Sequence, residues 1–164
     1  MLKTISKASP MLLLLSVTLL LCVPASSQLM KFEAPLNQLY QNGLKKLQQG
    51  DSLAAFQTIQ SAHFFEPKDI DIAFHYHSLA VALEKENAVQ QAENWLKNNS
   101  NKIYDSRLNF ELAKYFFRKQ EVDAAIHAYL KISMDDLENK EIALMQFQLG
   151  YLYFKKFGTK FMSD

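Results

Sequence analysis

Cysteine is almost missing from this chain: Cys22 is the only one in 164 residues, so no intrachain disulfide and no cysteine-based metal site can form. Glycine and proline are scarce as well, at four each. A barrel or sandwich that turns every few residues normally uses more of both, so helices are the expected element. Neither sign of charge dominates, with 18 Lys and Arg against 17 Asp and Glu. That balance argues against bulk electrostatic attraction to nucleic acid or anionic lipid, which depends on a dense cationic excess. What the chain does have is apolar material, 49% hydrophobic and 12% aromatic, enough to bury one modest core.

The first 27 residues read apart from the rest. Lys3 and Lys7 precede an apolar run from Met11 to Val23, followed by Pro24, Ala25, Ser26 and Ser27. This is the pattern of a secretory signal peptide over 1–27, with cleavage before Gln28. The run is 13 residues, shorter than the roughly 20 that a helix needs to span a bilayer. An uncleaved anchor is the rival reading, and Leu21 before Cys22 disfavours a lipid-modified cysteine. Two lysines and no acid leave with the leader, so the expected mature chain carries 16 cations against 17 acids and a charge near −1. Export to a periplasm or other cell-envelope compartment, or secretion, is therefore expected.

After a lead-in over 28–35, apolar residues recur at three- and four-residue spacing in stretches separated by short polar breaks. The spacing predicts helices over Leu36–Leu47, Leu53–Phe65, Ile72–Leu83, Ala88–Leu96, Leu108–Phe117, Ala124–Ile132 and Ile142–Phe154. Connections of about four residues within each pair imply antiparallel partners. A small residue marks the same place in each first helix, at Gly43, Ala80, Ala113 and Gly150, with spacings of 37, 33 and 37.

That period, on a helix-turn-helix unit, resembles the tetratricopeptide repeat of 34 residues. With the first unit starting at Leu36, the family's small residues fall on Gly43, Ala55 and Ala62 and its proline on Pro67; the second unit contributes Leu79-Ala80 and Ala92, the third Leu112-Ala113, Ala125 and Tyr129, the fourth Leu149-Gly150. Leu39 and Lys46 stand where the family prefers Trp and Tyr, and the terminal proline is missing from units two and three. The resemblance implies an all-α fold of stacked antiparallel helix pairs, a short right-handed α-solenoid of about three and a half repeats near 36–69, 73–106, 106–139 and 143–164. In this family the inner groove of such a stack is the usual binding surface.

The family's groove positions map onto Tyr40 and Leu44 in the first unit and Phe74, His77 and Val81 in the second. The third unit supplies Arg107, Phe110, Lys114, Phe117 and Arg118, and the fourth Leu144, Phe147, Tyr151, Phe154 and Lys155. Rings interleaved with cations suit an extended peptide, the rings giving contact area and the cations gripping carboxylates or carbonyls. The same rings at helical spacing also fit packing between neighbouring units. The carboxylate clamp of chaperone-binding members needs Lys and Asn at two of these positions, where Tyr40 and Leu44 stand, so that mode is excluded.

Catalysis has no visible site. There is no Gly-x-Ser-x-Gly elbow and no phosphate loop. Of the histidines, His75 and His77 are two apart, which puts them on nearly opposite sides of a helix, and neither they nor His63 and His127 have a ligand set at metal spacing. No metal, cofactor or small-molecule substrate is expected; Asn98-Asn99-Ser100 is formally a glycosylation sequon and equally a helix-ending loop.

The expected partner is a protein or peptide, and the expected role that of a scaffold or adaptor. A sensory input region of a longer exported signalling protein is the alternative. The fourth unit stops after 22 residues, from Ala143 to Asp164. It reads as a truncated form of a longer repeat protein, or as an edge covered by self-association.

Overall fold

The computed structural model describes residues 25–99 and 102–158, with side chains from Pro35 onward. The expected leader thus lies outside the described residues except for the backbone of its last three. By internal contact the chain divides into residues 1–38 and residues 39–164. Seven α-helices and no strand occur among the described residues. They are α1 (Ala25–Gln48), α2 (Ser52–Phe65), α3 (Ile70–Ala82), α4 (Ala88–Asn98), α5 (Asp105–Arg118), α6 (Val122–Tyr129) and α7 (Asn139–Phe157), with a 3-10 turn at Met134–Asp136. No helix among the described residues is long and apolar enough to cross a membrane.

Six of the seven expected helices lie within a few residues of their observed bounds. The exception is α1, which starts at Ala25 and contains Pro35, where the apolar spacing suggests a start at Leu36. Proline removes one backbone donor and reads as a boundary, yet α1 continues through it. The sixth helix also ends at Tyr129 rather than Ile132, because the chain turns through the 3-10 segment before α7.

Three connections close in the same way. At the ends of α1, α3 and α5 the residues Gly50, Glu84 and Gln120 adopt φ of +82°, +53° and +63°. Around each, two backbone bonds cross the helix end: Asp51 N to Lys46 O and Gly50 N to Leu47 O, then Lys85 N to Ala80 O and Glu84 N to Val81 O, then Glu121 N to Phe116 O and Gln120 N to Phe117 O. This is the Schellman arrangement, which satisfies carbonyls the helix leaves orphaned and reverses the chain. Glycine takes the left-handed conformation freely, while glutamate and glutamine adopt it at a cost of roughly 1 kcal/mol. Two of the helices are started by aspartate side chains, Asp51 accepting from Ala54 N at 3.0 Å and Asp69 from Ile72 N at 2.9 Å. A reciprocal Glu138 and Glu141 capping box starts α7.

Packing from Leu39 onward follows from small side chains. Nine of the 21 buried apolar residues are alanines, which lets helix axes come close. Ala55, Ala92 and Ala125, the equivalent second-helix positions, are all fully buried. At Gly43 an added Cβ would come 2.5 Å from Ile59 Cγ1, so the crossing of α1 and α2 has room only for glycine. Helix α3 packs on α2, α4 and α5, and α6 packs on α5 and α7.

Side-chain contacts between successive first helices and their flanking turns join residues 33 to 35 apart. They include Tyr40 with His75, Tyr104 with Asp71, Lys119 with Glu84, Lys155 with Gln120 and Lys156 with Asp123. A separation near 34 residues thus recurs among the contacts between these helices.

Candidate binding cleft

Helices α1, α3, α5 and α7 and the start of α2 line a cleft of about 350 Å³. Its apolar wall comes from Leu47, Phe74, Leu79, Ala82 and Phe110, and its polar wall from His75, Ser78, Arg107, Glu111, Lys114 and Glu141. Phe74 is held by stacking on Tyr104, with ring centroids 4.1 Å apart and planes 9° from parallel. Tyr104 in turn donates its hydroxyl to Asp71 at 2.6 Å, and that bond, reinforced by burial, pushes its pKa up to about 12. A ring stack between α3 and the residue that precedes α5, with a carboxylate bond, therefore fixes the orientation of Phe74.

The cleft's charges come in pairs. Lys114 Nζ lies 2.7 Å from Glu111 and 4.8 Å from the centre of the Phe110 ring, and Arg107 lies 4.0 Å from Glu141. Ser78 Oγ is a buried hydroxyl without a hydrogen-bond partner. Serine in a helix commonly bonds back to a carbonyl four residues earlier, so an unpaired hydroxyl on a cleft wall is unusual. On the α3 side, His75 Nδ1 sits 3.0 Å from the Tyr40 hydroxyl and 2.9 Å from Asp71 O. Burial and the nearby Asp71 raise the Tyr40 pKa, so the phenol stays protonated.

The expected groove residues divide into three groups. Phe74, Arg107, Phe110 and Lys114 line the cleft together. Tyr40 is half-buried beside His75; Phe117 meets Tyr151 edge-on at 5.8 Å; Arg118 bonds Glu84 at 3.3 Å and Lys155 bonds Gln120. Phe147, Tyr151, Phe154 and Leu144 stand exposed along α7, away from the cleft lining.

Two positions correct the expectation of an accessible ring. His77 is buried among His63, Tyr76 and Trp95, because α2 and α4 cover that side of α3. Phe110 is only 3% exposed: Tyr129 packs against its ring and Lys114 covers it, leaving an edge in the cleft wall. Val81 is fully buried too. Arg118, a cation of the expected groove, is also engaged: Lys119 and Arg118 together hold Glu84, whose pKa their hydrogen bonds lower. Glu84 and Glu141 were missed because their partners are set by stacking, for which a single helix carries no signal; Glu111 pairs with Lys114 three residues on in the same helix, and Ser78 has no partner in the structure.

The histidines separate. His75 lines the cleft, His77 is buried behind it, and His127 lines a second cleft of about 420 Å³ bounded by α4, α5 and α6. His63 and His77 alone come together, ring centroids 5.8 Å apart, each with a buried and unpaired Nδ1. Burial lowers both pKa values, that of His77 to about 4 with His63 contributing. Among the described residues no group of three or more His, Cys, Asp and Glu is placed to hold a metal ion.

Searches against protein-family models, curated proteins and solved structures return no match. The functional reading therefore rests on the geometry of this chain.

Proposed function

We propose that the helix pairs are units of a short tetratricopeptide-like stack, and that the cleft beside α3 and α5 binds an extended segment of another protein. The repeated separation near 34 residues supports the stack. One observation carries the binding reading: the aromatic ring of Phe74, clamped by Tyr104, stands in an open cleft between an apolar and a polar wall. The Ser78 hydroxyl behind that wall is buried and unpaired at a cost of about 1–3 kcal/mol, and a peptide backbone that displaces the covering side chains would supply the missing bond.

The charge pattern narrows the ligand. Arg107 and Lys114 are balanced by Glu141 and Glu111, so the cleft has no surplus charge to neutralise a strongly acidic or basic tail. A neutral segment with one apolar side chain against Phe74 fits best. The leader-like pattern of residues 1–27 supports an activity outside the cytoplasm, in the cell envelope or beyond.

The test is selection of short peptides on the full chain, followed by binding to a Ser78→Phe variant that fills the cleft. Neutral peptides that lose at least about tenfold in affinity with Ser78→Phe, while the variant keeps its melting temperature, are expected. Selected peptides that bind the variant equally well would place binding elsewhere.

A further inference from the structure

Helix α7 has a face that nothing among the described residues covers. Phe147 is 71% exposed and Phe154 70%, with Leu144, Tyr151, Tyr153 and Phe157 also exposed. From Ile142 to Phe154 the helix carries no charged residue. The opposite side of the same helix, Met145 and Leu152, is buried against the rest of the chain. The helix is thus sandwiched on one side only.

The sizes along the bare face alternate. At 100° per residue, Ala143, Phe147, Gly150 and Phe154 fall on one stripe, small then large, twice over. Such a stripe is complementary to itself when a second copy lies antiparallel, since each large residue then meets a small one. At Gly150 an added Cβ would meet nothing within 4 Å, so a pit is open there.

We propose that this face pairs with the same face of a second copy about a two-fold axis, the two α7 helices running antiparallel. Phe147 then sits over the partner's Gly150, and Phe154 over the partner's Ala143. Leu144 flanks the partner's Tyr151 on one side of the seam, and Gln146 reaches the partner's Tyr153 on the other.

The helix dipoles favour the antiparallel arrangement, which sets the positive end of each helix beside the negative end of its partner. The charged residues at the ends of α7 do not enter the seam: Glu141, Lys155 and Lys156 are held by Arg107, Gln120 and Asp123, and Glu138 is held by Lys140.

The area is sufficient. With ~200 Å² for a fully exposed aromatic side chain, the bare parts of these residues come to about 600 Å² per copy and ~1,200 Å² per pair, the lower edge of stable interfaces. This inference needs only the geometry of α7 and stands independently of the peptide reading.

The test is light scattering with size exclusion on the full chain over a range of concentrations, beside Gly150→Leu and Phe147→Gln. A dimer mass is expected for the unaltered chain, with a rise of about tenfold or more in the dissociation constant for each variant. Gly150→Leu has room in the single copy and removes a helical glycine, so its melting temperature when monomeric should not fall. A chain that stays monomeric throughout would overturn the proposal, the face then being covered by continuing polypeptide or by a different protein. So would a dimer that both variants leave intact.

Discussion

Helices α5 and α7 occupy equivalent places in the proposed repeat, and the residues it matches have different fates. Phe110 and Phe147 share a position in that register, yet one is 3% exposed and the other 71%. Ala113 is fully buried, whereas Gly150, its counterpart, faces open space. Phe117 is half-buried against Tyr151, and Phe154 is bare. The difference lies in the neighbours: α3, α4 and α6 pack on α5 and Phe117 also meets Tyr151, whereas among the described residues α7 packs on α6 and touches α5 at single side chains. Under the proposed repeat, position sets what a residue is able to pack against, and the neighbouring helices decide whether it does.

The sharpest break of this comparison is truncation of the two phenylalanines. Phe110→Ala is expected to cost about 3–5 kcal/mol in urea unfolding, as a large buried ring leaves a cavity. Phe147→Ala should stay within roughly 0.5 kcal/mol at concentrations low enough to exclude self-association. Equal losses at the two sites would mean that something covers α7.

The small residues give the next contrast. Gly43→Ala forces Ile59 aside and should destabilise by about 1–3 kcal/mol, while Gly150→Ala should stabilise by roughly 0.5–1 kcal/mol through helix propensity. Chemical denaturation of the two variants at one temperature reads both signs.

A third contrast is between His77, held neutral by burial, and His75 on the cleft wall. Because the His77 pKa is depressed when folded, the unfolded chain takes up the proton first. Its stabilising contribution is complete above the ordinary value of 6.5 and is lost as pH falls towards about 4. Melting temperature should fall across that window, and His77→Phe should flatten the fall more than His75→Phe does. Identical pH profiles for the parent and His77→Phe would refute the assignment.

The smallest effect concerns the left-handed turn residues. Gln120→Gly relieves the strained conformation and should add about 0.5–1 kcal/mol on thermal melting, less whatever its bond to Lys155 contributes. Gly50→Ala, at the equivalent turn, should have the opposite sign.

Much of the helical frame was legible in the residues. Gly50, Pro67 and the polar breaks punctuate it, and Gly43, Ala55, Ala80, Ala92, Ala113 and Ala125 mark helix crossings that the structure places in close packing. The spacing of His75 and His77 also foretold their separation. The early start of α1 was hidden, since Pro35 looks like a boundary and tolerates the interior of a helix all the same. Which rings of the candidate site stay accessible was hidden as well. A helix with apolar residues on more than one side does not announce which side its neighbours take, so His77 and Phe110 read as surface and lie inside. The pairing of Arg107 and Arg118 was equally out of reach, because Glu141 and Glu84 come from other helices, whereas Lys114 and Glu111 stand three residues apart on one helix.

Fluorine NMR of the full chain with fluorophenylalanine at Phe110 or Phe147, in the presence of a soluble paramagnetic probe, tests the difference between the two helices most directly. The expected result is a Phe110 resonance that the probe leaves sharp at every concentration, and a Phe147 resonance that broadens on dilution and is shielded when concentrated. Two resonances broadened alike, or a Phe147 shielded even at high dilution, would contradict the account.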